Sequence, residues 1–266
     1  MKRKLLVLPL ALALLATGVS AHTNGGLLGD IPSTTETVTV DGKKDAIYDY
    51  GLAVDIDQKL GTSEVKATAK AWLVYKDGNV YVYAEVKDAD VVEPDAATQT
   101  SAPWTTDSLE VFINSSNSDN NADTMQYRID NVGFGCAYNQ SGTAEYGPGK
   151  ADKYFTYACK PSDAGYNVEF CIPVEGKEVG INFQINDMSS DGSAQTWAMP
   201  YSKVTGAGPN SWVAAEYPYV TIGTTTASLP VVEEPASSAT TLDMASFAAV
   251  AAALGAAGFV AFKKKK

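Results

Sequence analysis

The chain has 266 residues, 45% of them hydrophobic, and a formal net charge of −11. Seven of its 20 basic residues lie at the two ends, so residues 22–262 hold 13 Lys and Arg against 31 Asp and Glu, a net charge of −18. Such an acidic surface makes nucleic acid and anionic lipid poor partners. It favours neutral ligands, or calcium bound by carboxylates.

The first 21 residues have the pattern of a secretory signal peptide. Met1–Lys4 is basic, Leu5–Ala16 is apolar, and the small residues Val19–Ala21 predict cleavage after Ala21. The apolar run is too short to favour a membrane anchor at this end. Residues 22–36 are expected to form an N-terminal segment that precedes the folded domain.

Strand-like runs separated by turn signals fill residues 37–223, which is long enough for one sizeable core. Asp45–Tyr50 predicts a short helical turn, and Lys76-Asp77-Gly78-Asn79 predicts a β-hairpin. The predicted fold is all-β, an antiparallel β-sandwich of jelly-roll type. The predicted strands are Thr37–Val40, Thr68–Lys76, Val80–Lys87, Ser108–Asn114, Met125–Asp130, Tyr154–Lys160, Gly165–Ile172, Gly180–Asn186 and Val220–Ile222.

Two tryptophans lie on predicted loops. Trp104 and Trp212 each follow a cluster of Pro, Gly, Ser or Asn, and an exposed tryptophan is costly unless it binds something. Nearby strands carry amide and charged groups, and flat rings with planar polar groups are what a protein needs to hold a sugar ring. Trp104 could alternatively cap the rim of the sandwich. Trp72 and Trp197, within strand-like runs, are interpreted as packing residues.

Three cysteines are an odd number and have no metal-binding spacing. Cys159 and Cys171 flank the turn Pro161–Gly165, whose centre would place Cys159 opposite Val168. No bridge between these two is therefore predicted. One disulfide that involves Cys136, or three buried thiols, are the alternatives.

The C-terminal part predicts a stalk and an anchor. Residues 224–243 are rich in Thr, Ser, Pro and Glu and predict a flexible or extended stalk. Met244–Phe262 has no charged residue, and a helix of this length spans about 28 Å. With Lys263–Lys266 as a cytoplasmic tail, residues 244–262 predict a transmembrane anchor and place the domain on the extracellular face of a bacterial cell membrane. Because the run is rich in alanine, a weakly held helix is the alternative.

A series of short motifs runs through residues 37–223 in a specific order. The motifs are Val40-Asp41-Gly42, Ala67-Thr68-Ala69-Lys70, Asp77-Gly78-Asn79-Val80-Tyr81-Val82, Glu85-Val86-Lys87-Asp88, Pro103-Trp104, Asp107-Ser108-Leu109-Glu110-Val111-Phe112-Ile113, Gln126-Tyr127-Arg128, Gly180 to Asp187, and Asn210-Ser211-Trp212. In this order and spacing they resemble the family 9 carbohydrate-binding modules.

This resemblance implies a β-sandwich that binds the ends of β-glucan or xylan chains between two tryptophans. By resemblance, Trp104 and Trp212 would be the two plates. The sugar hydroxyls would be bound by Glu110, Arg128, Gln184 and Asn210. Glu110 and Arg128 could instead form a simple cross-strand ion pair. Related modules also hold structural calcium, for which Asp187 is a candidate ligand.

No catalytic constellation is recognised. Asp107 and Glu110 lie three residues apart near one strand start, so their side chains should point to opposite faces rather than across one glycosidic bond. The single histidine, His22, lies outside the predicted domain. The predicted domain therefore has no histidine that could activate a nucleophile. We therefore predict a non-catalytic monomer that binds oligo- or polysaccharide.

Two other classes remain open at this point. One is a haem-binding electron-transfer sandwich, for which Met125, Met188 and Met199 could supply axial ligands although the domain has no histidine. The other is a surface adhesion protein that binds a protein partner.

Overall fold

A computed structural model describes residues 26–59, 66–139, 144–189, 195–199, 211 and 213–230. The strands lie within one compact unit, Met1–Leu229, and of a second unit, Pro230–Lys266, only Pro230 is described. The predicted signal peptide, anchor and tail, and the stalk beyond Pro230, lie outside the described residues. Within the described ranges, no helix has the length and apolar character needed to cross a membrane.

The described part of the chain consists mainly of β-strands, which confirms the all-β prediction. One short helix, α1, spans Ala96–Ser101, and five 3₁₀ turns span Ala46–Tyr50, Pro103–Thr105, Asn121–Asp123, Ala151–Lys153 and Ala214–Glu216. The strands are β1 Leu27–Ser33, β2 Leu52–Ile56, β3 Gln58–Lys59, β4 Thr68–Lys76, β5 Asn79–Lys87, β6 Ser108–Asn114, β7 Thr124–Asp130, β8 Gly135–Asn139, β9 Ala144–Tyr146, β10 Thr156–Ser162, β11 Gly165–Pro173, β12 Glu178–Met188, β13 Gln195–Met199 and β14 Tyr219–Thr226.

The strands follow the order β10-β11-β5-β4-β1-β14-β12-β6-β7-β8-β9, with β2 beside β4 and β13 between β12 and β3. The two halves of this order share one buried core, as expected for two packed sheets. Phe155 shows this packing directly, because its ring contacts Tyr127 of β7 and Phe170 of β11, with centroids 5.2 and 6.0 Å away.

The hairpin predicted at Lys76–Asn79 is confirmed. Lys76 pairs with Asn79, and the two residues between them both have positive φ, 48° at Asp77 and 83° at Gly78. This conformation matches the twist of the flanking strands and favours Asp-Gly. The predicted turn at Asp45–Tyr50 and the pairing of Cys159 with Val168 are confirmed as well.

Several features differ from the sequence prediction. Thr37–Val40 forms no strand, because the backbone N–H of Thr39 donates to the Asp45 carboxylate at 2.6 Å instead of to a neighbouring strand. β1 lies within the predicted N-terminal segment and pairs with β14, which itself continues into the predicted stalk. That pairing is parallel, so the sandwich is not wholly antiparallel.

Candidate functional site

Strand alternation places one row of polar side chains across four neighbouring strands. In β6, Leu109 and Val111 point into the core, so Glu110 lies on the opposite face. The register pairs Gln184 with Glu110, Glu110 with Arg128, and Arg128 with Cys136. Paired residues share a face, and we call these four side chains the polar row. The structure therefore brings together three of the predicted site residues, Glu110, Arg128 and Gln184.

Arg128 is the centre of the polar row and is only 1% exposed. Its Nε donates to Ser108 Oγ at 2.9 Å, and its Nη2 donates to Thr106 Oγ1. Its Nη1 has no hydrogen-bond partner in the described part of the chain, and neither has Glu110 Oε1. A buried polar atom without a partner costs free energy, so these two atoms are suited to a polar ligand.

Glu110 and Arg128 do not form a close ion pair. Glu110 Oε1 lies 3.7 Å from Arg128 Nε, which is too long for a hydrogen bond. Burial raises the pKa of Glu110 to about 7, although Arg128 acts in the opposite direction. Burial also lowers the pKa of Arg128, which Glu110 opposes. The pair is thus buried rather than exposed, and part of its hydrogen-bonding capacity is unused.

A chain of amide and hydroxyl groups continues from Gln184. Its Nε2 donates to Asn186 Oδ1 at 2.9 Å, and Asn186 Nδ2 donates to Ser108 Oγ at 3.1 Å. Ser211 Oγ donates to Gln184 Oε1 at 2.7 Å, while the Tyr217 hydroxyl donates to the Ser211 carbonyl. This chain holds the polar groups in fixed orientations. The predicted residues Asn210 and Trp212, on either side of Ser211 in the sequence, lie outside the described residues.

Trp104 lies in the 3₁₀ turn Pro103–Thr105, which we call the Trp104 turn. Its side chain is 54% exposed, although its neighbour Pro103 is buried. Thr106, directly after the turn, accepts the hydrogen bond from Arg128 described above. The Trp104 turn is thereby joined to the polar row. Trp72, in contrast, is half-buried, packs beside Tyr83 and has Lys44 Nζ 3.5 Å from its ring centre, in keeping with a packing role.

A second group of functional side chains is an acidic cluster formed by Asp88, Asp107 and Asp187. All three are buried, and one carboxylate oxygen from each lies within 4.8 Å of the others. Burial raises the pKa of Asp107 to about 7 and also raises that of Asp88. Carboxylate oxygens are the ligands that calcium prefers. The predicted metal candidate Asp187 thus lies between two further carboxylates.

The thiols show no sign of nucleophilic chemistry. Cys136, Cys159 and Cys171 are all free. Burial raises the pKa of Cys136 and Cys159 to about 12, so both remain protonated at neutral pH.

Sequence reasoning missed several residues of these two groups. Ser108 and Asn186 differ by two from Glu110 and Gln184, so strand alternation alone could have added them to the polar face. Thr106 and Ser211 lie in irregular segments where no periodicity applies. Asp88 and Asp107 lie far from Asp187 in the sequence, and only the folded sheet brings them close to it.

Comparison with known proteins finds relatives named as xylanases and an exoglucanase. The chain is 31% identical over 186 residues to endo-1,4-beta-xylanase A of Thermotoga neapolitana, and 28% identical over 212 residues to exoglucanase XynX of Acetivibrio thermocellus. These matches cover 66% and 73% of this chain but only 16% and 18% of the relatives. The chain therefore spans less than a fifth of the length of either enzyme.

Solved structures agree at the level of the fold. A family 9 carbohydrate-binding module from Caldicellulosiruptor kristjanssonii, in complex with cellotriose, superposes with a TM-score of 0.58 at 20% identity, over 77% of this chain and 98% of the module. A carbohydrate-binding protein from Bacteroides uniformis gives a TM-score of 0.56 at 11% identity, over 75% of this chain. The family model described as carbohydrate family 9 binding domain-like matches residues 40–215, and the chain belongs to this family.

Proposed function

We propose that the domain binds the ends of plant-type β-glucan or xylan chains and has no catalytic activity. Two observations carry this proposal: Glu110 Oε1 and Arg128 Nη1 are polar atoms without a partner among the described residues, and Trp104, two residues before the Thr106 that binds Arg128, has an exposed ring. A sugar offers hydroxyls to the former and an apolar C–H face to the latter. Trp212 would supply the second ring, with Gln184 and Asn210 as further partners of the hydroxyls.

The relatives support this ligand class. Two structures of a family 9 module from Caldicellulosiruptor kristjanssonii contain cellotriose and glucose, and the related enzymes are named as xylanases and an exoglucanase. Asp107 and Glu110 have pKa values that burial raises to about 7, but in this proposal they do not act as an acid–base pair. Asp107 accepts backbone N–H groups on both oxygens and belongs to the acidic cluster, whereas Glu110 belongs to the polar row.

Calorimetry with cello- and xylo-oligosaccharides tests the proposal. Trp104→Ala and Trp212→Ala should each weaken binding by about 1–3 kcal/mol, roughly fivefold to 150-fold, because each removes one stacking face. The melting temperature of Trp104→Ala should change little, because this ring is mainly exposed. Trp72→Ala is the matched control, and it should lower the melting temperature while the affinity stays close to wild type.

Two outcomes would count against the proposal. Wild-type affinity in both loop variants would place the pocket elsewhere. An absence of binding across a broad glycan panel would contradict the proposed glycan-binding function itself.

Calcium is the ion that we propose for the acidic cluster. The residues present fit it, since three buried carboxylates converge and Asp88 Oδ2 has no hydrogen-bond partner among the described residues. A bound calcium would balance two of the three negative charges of the ionised carboxylates and cross-link the segments that carry them. Because an ion held only by the folded state stabilises it, millimolar calcium should raise the melting temperature relative to chelator. Equal melting temperatures in the two conditions would contradict this assignment.

We also propose that the domain is displayed outside a bacterial cell by the predicted anchor at residues 244–262. The support is the uncharged run followed by four lysines. Fractionation of producing cells and protease treatment of intact ones test this placement. The chain should remain with the membrane and its domain should be digested, whereas recovery of the intact chain from the medium would contradict the placement.

A further inference from the structure

The residues directly after the Trp104 turn reach the polar row and the acidic cluster in turn. Thr106 and Ser108 accept hydrogen bonds from the Arg128 guanidinium. Asp107, between them, belongs to the acidic cluster. A change in the position of Asp107 must therefore move both contacts of Arg128 and the attachment of the Trp104 turn.

Asp107 also ties together three distant segments. Its Oδ1 accepts from the N–H of Met188 at 2.7 Å, and its Oδ2 accepts from the N–H of Val92 at 2.6 Å. Its carbonyl oxygen accepts from the N–H of Asn131 at 3.2 Å. Each oxygen is thus already bound to backbone, so a shift of Asp107 must also move or break its contacts with these three segments.

Two members of the cluster, Asp88 and Asp107, have no basic side chain beside them in the described part of the chain to balance their charge. Among the described residues, no lysine or arginine forms an ion pair with Asp88 or Asp107. Asp88 Oδ2 has no hydrogen-bond partner, although the Asp88 side chain is only 7% exposed. Three carboxylates this close repel one another unless a cation or protons neutralise them.

Tyr166 gives a second, independent indication of a ligand. Its side chain is buried, and its hydroxyl has no hydrogen-bond partner in the described part of the chain. Burial, together with the nearby Asp107 and Asp88 carboxylates, raises the pKa of Tyr166 well above its usual value. A buried hydroxyl with unused hydrogen-bonding capacity, within electrostatic range of two carboxylates, is suited to a water molecule near a bound cation.

We propose that calcium at Asp88, Asp107 and Asp187 fixes the Trp104 turn, so that calcium and glycan bind with positive linkage. This inference depends on the proposed glycan function and adds the regulation of the same site. With the cation bound, attraction to all three carboxylates holds Asp107 and therefore Thr106, Ser108 and the turn in one arrangement. Without it, repulsion favours arrangements in which Arg128 and Trp104 are no longer aligned for the sugar. Because linkage is reciprocal, glycan must strengthen calcium binding by the same factor.

The test titrates cellotriose and xylotriose into the full chain by calorimetry, once with calcium chloride and once with a chelator. We expect the affinity to fall by about fivefold or more in chelator, the lower end of typical coupling between sites. Calcium titrations with and without the bound trisaccharide should show the same factor. Calcium should also change the tryptophan emission, and Trp104→Phe should remove most of that change while it keeps the calcium-dependent gain in melting temperature.

Matched variants distinguish the effect of the acidic cluster from the effect of removing one negative charge elsewhere in the protein. Asp88→Asn should weaken calcium binding and give the low, chelator-like glycan affinity in moderate calcium. Asp187→Asn should behave in the same way if Asp88→Asn fails to fold. Glu175→Gln changes the same unit of charge on an exposed loop residue, and it should behave as wild type.

The possible failures are distinguishable. Equal glycan affinity in calcium and chelator, with a clear gain in melting temperature from calcium, would overturn the linkage and leave the metal site standing. No heat of calcium binding and no change in melting temperature would overturn the metal site and the inference with it. If neither trisaccharide binds in either condition while calcium still stabilises the chain, the glycan function is wrong.

Discussion

Arg128 has a guanidinium group that is almost fully buried, and the groups around it compensate only part of the cost of burying its charge. Two hydroxyls accept from it, one nitrogen has no partner among the described residues, and the Glu110 carboxylate lies at 3.7 Å. Replacement of such a pair by apolar residues is often neutral or stabilising, so the pair is poorly explained by stability alone. The presence of the pair in the polar row is better explained by a polar ligand that completes its hydrogen bonds.

The polar row also shows how far single residues can be predicted. Glu110, Arg128 and Gln184 were assigned by resemblance, and the register of β12, β6 and β7 places them side by side. Strand alternation is a property of the sequence, so their shared face could be expected. The hydrogen bond between Thr106 and Arg128 could not be expected, because the position of Thr106 depends on a 3₁₀ turn that has no repeating pattern.

Glu110 makes a prediction for pH. Its pKa is raised to about 7, mainly by burial, with Arg128 acting against the shift. An ionised carboxylate accepts sugar hydroxyls more strongly than a protonated one. We therefore expect glycan affinity to rise as the pH increases from about 6 to 8, through this pKa. Calorimetry at several pH values across that range measures the glycan affinity.

Glu110→Gln supplies the comparison for this pH prediction. The variant keeps the size of the side chain but cannot ionise, so its affinity should be lower at pH 8 and nearly constant from pH 6 to 8. An identical pH profile in variant and wild type would assign the titration to another group. Affinity that falls with rising pH would mean that the protonated acid is the form that binds.

At the scale of elements, strands with strong local signals were predicted well. β4 and β5 have alternating patterns and an Asp-Gly turn, and β6 has the predicted bounds. β8 and β9 were missed because the first begins at Gly135, a weak strand former. A Cβ at that position would lie 2.3 Å from the Tyr157 ring, so the glycine is required by tertiary packing that the local sequence does not show.

Another element-level feature is the attachment of the segment around residues 41–50 to β11. Glu169 Oε2 accepts from the N–H groups of Asp41 and Gly42 at 2.9 and 3.0 Å, and its Oε1 accepts from the Tyr48 hydroxyl at 2.8 Å. Burial raises the pKa of Glu169 to about 6, an effect that these hydrogen bonds oppose and Asp45 reinforces. The attachment of this segment is therefore sensitive to pH.

The sign of this pH effect follows from the raised pKa. Between about pH 4.5 and 6 the folded state binds more protons at Glu169 than the unfolded state, so the free energy of unfolding falls as the pH rises. The full loss is about 2 kcal/mol, from the shift from 4.5 to about 6. Denaturant unfolding at pH 4.5, 5.5 and 6.5 should show a smaller decrease for Glu169→Gln than for wild type. Glu175→Gln, on an exposed loop, should keep the wild-type decrease, and equal decreases in all three proteins would contradict the assignment.

For the whole molecule, β1 is the strand that joins the two halves of the sheet. It lies between β4 and β14 in the strand order and pairs with β14 in parallel. Its sequence, Leu27-Leu28-Gly29-Asp30-Ile31-Pro32-Ser33, contains glycine, aspartate and proline, which are depleted in strands. Local preference therefore could not reveal it. Its pairing depends on β14, almost two hundred residues later in the chain.

Ile31 gives a direct test of how much the molecule depends on β1. Its side chain is fully buried in the shared core, whereas Leu27 of the same strand is 57% exposed. Ile31→Ala should lower the free energy of unfolding by about 2–5 kcal/mol, because it removes buried methyl groups and leaves a cavity. Leu27→Ala, the matched control, should change it by less than about 0.5 kcal/mol, as is usual at the surface. Both values follow from denaturant unfolding of the two variants and wild type. If the two substitutions have equal effects, β1 does not join the halves of the sandwich through the core.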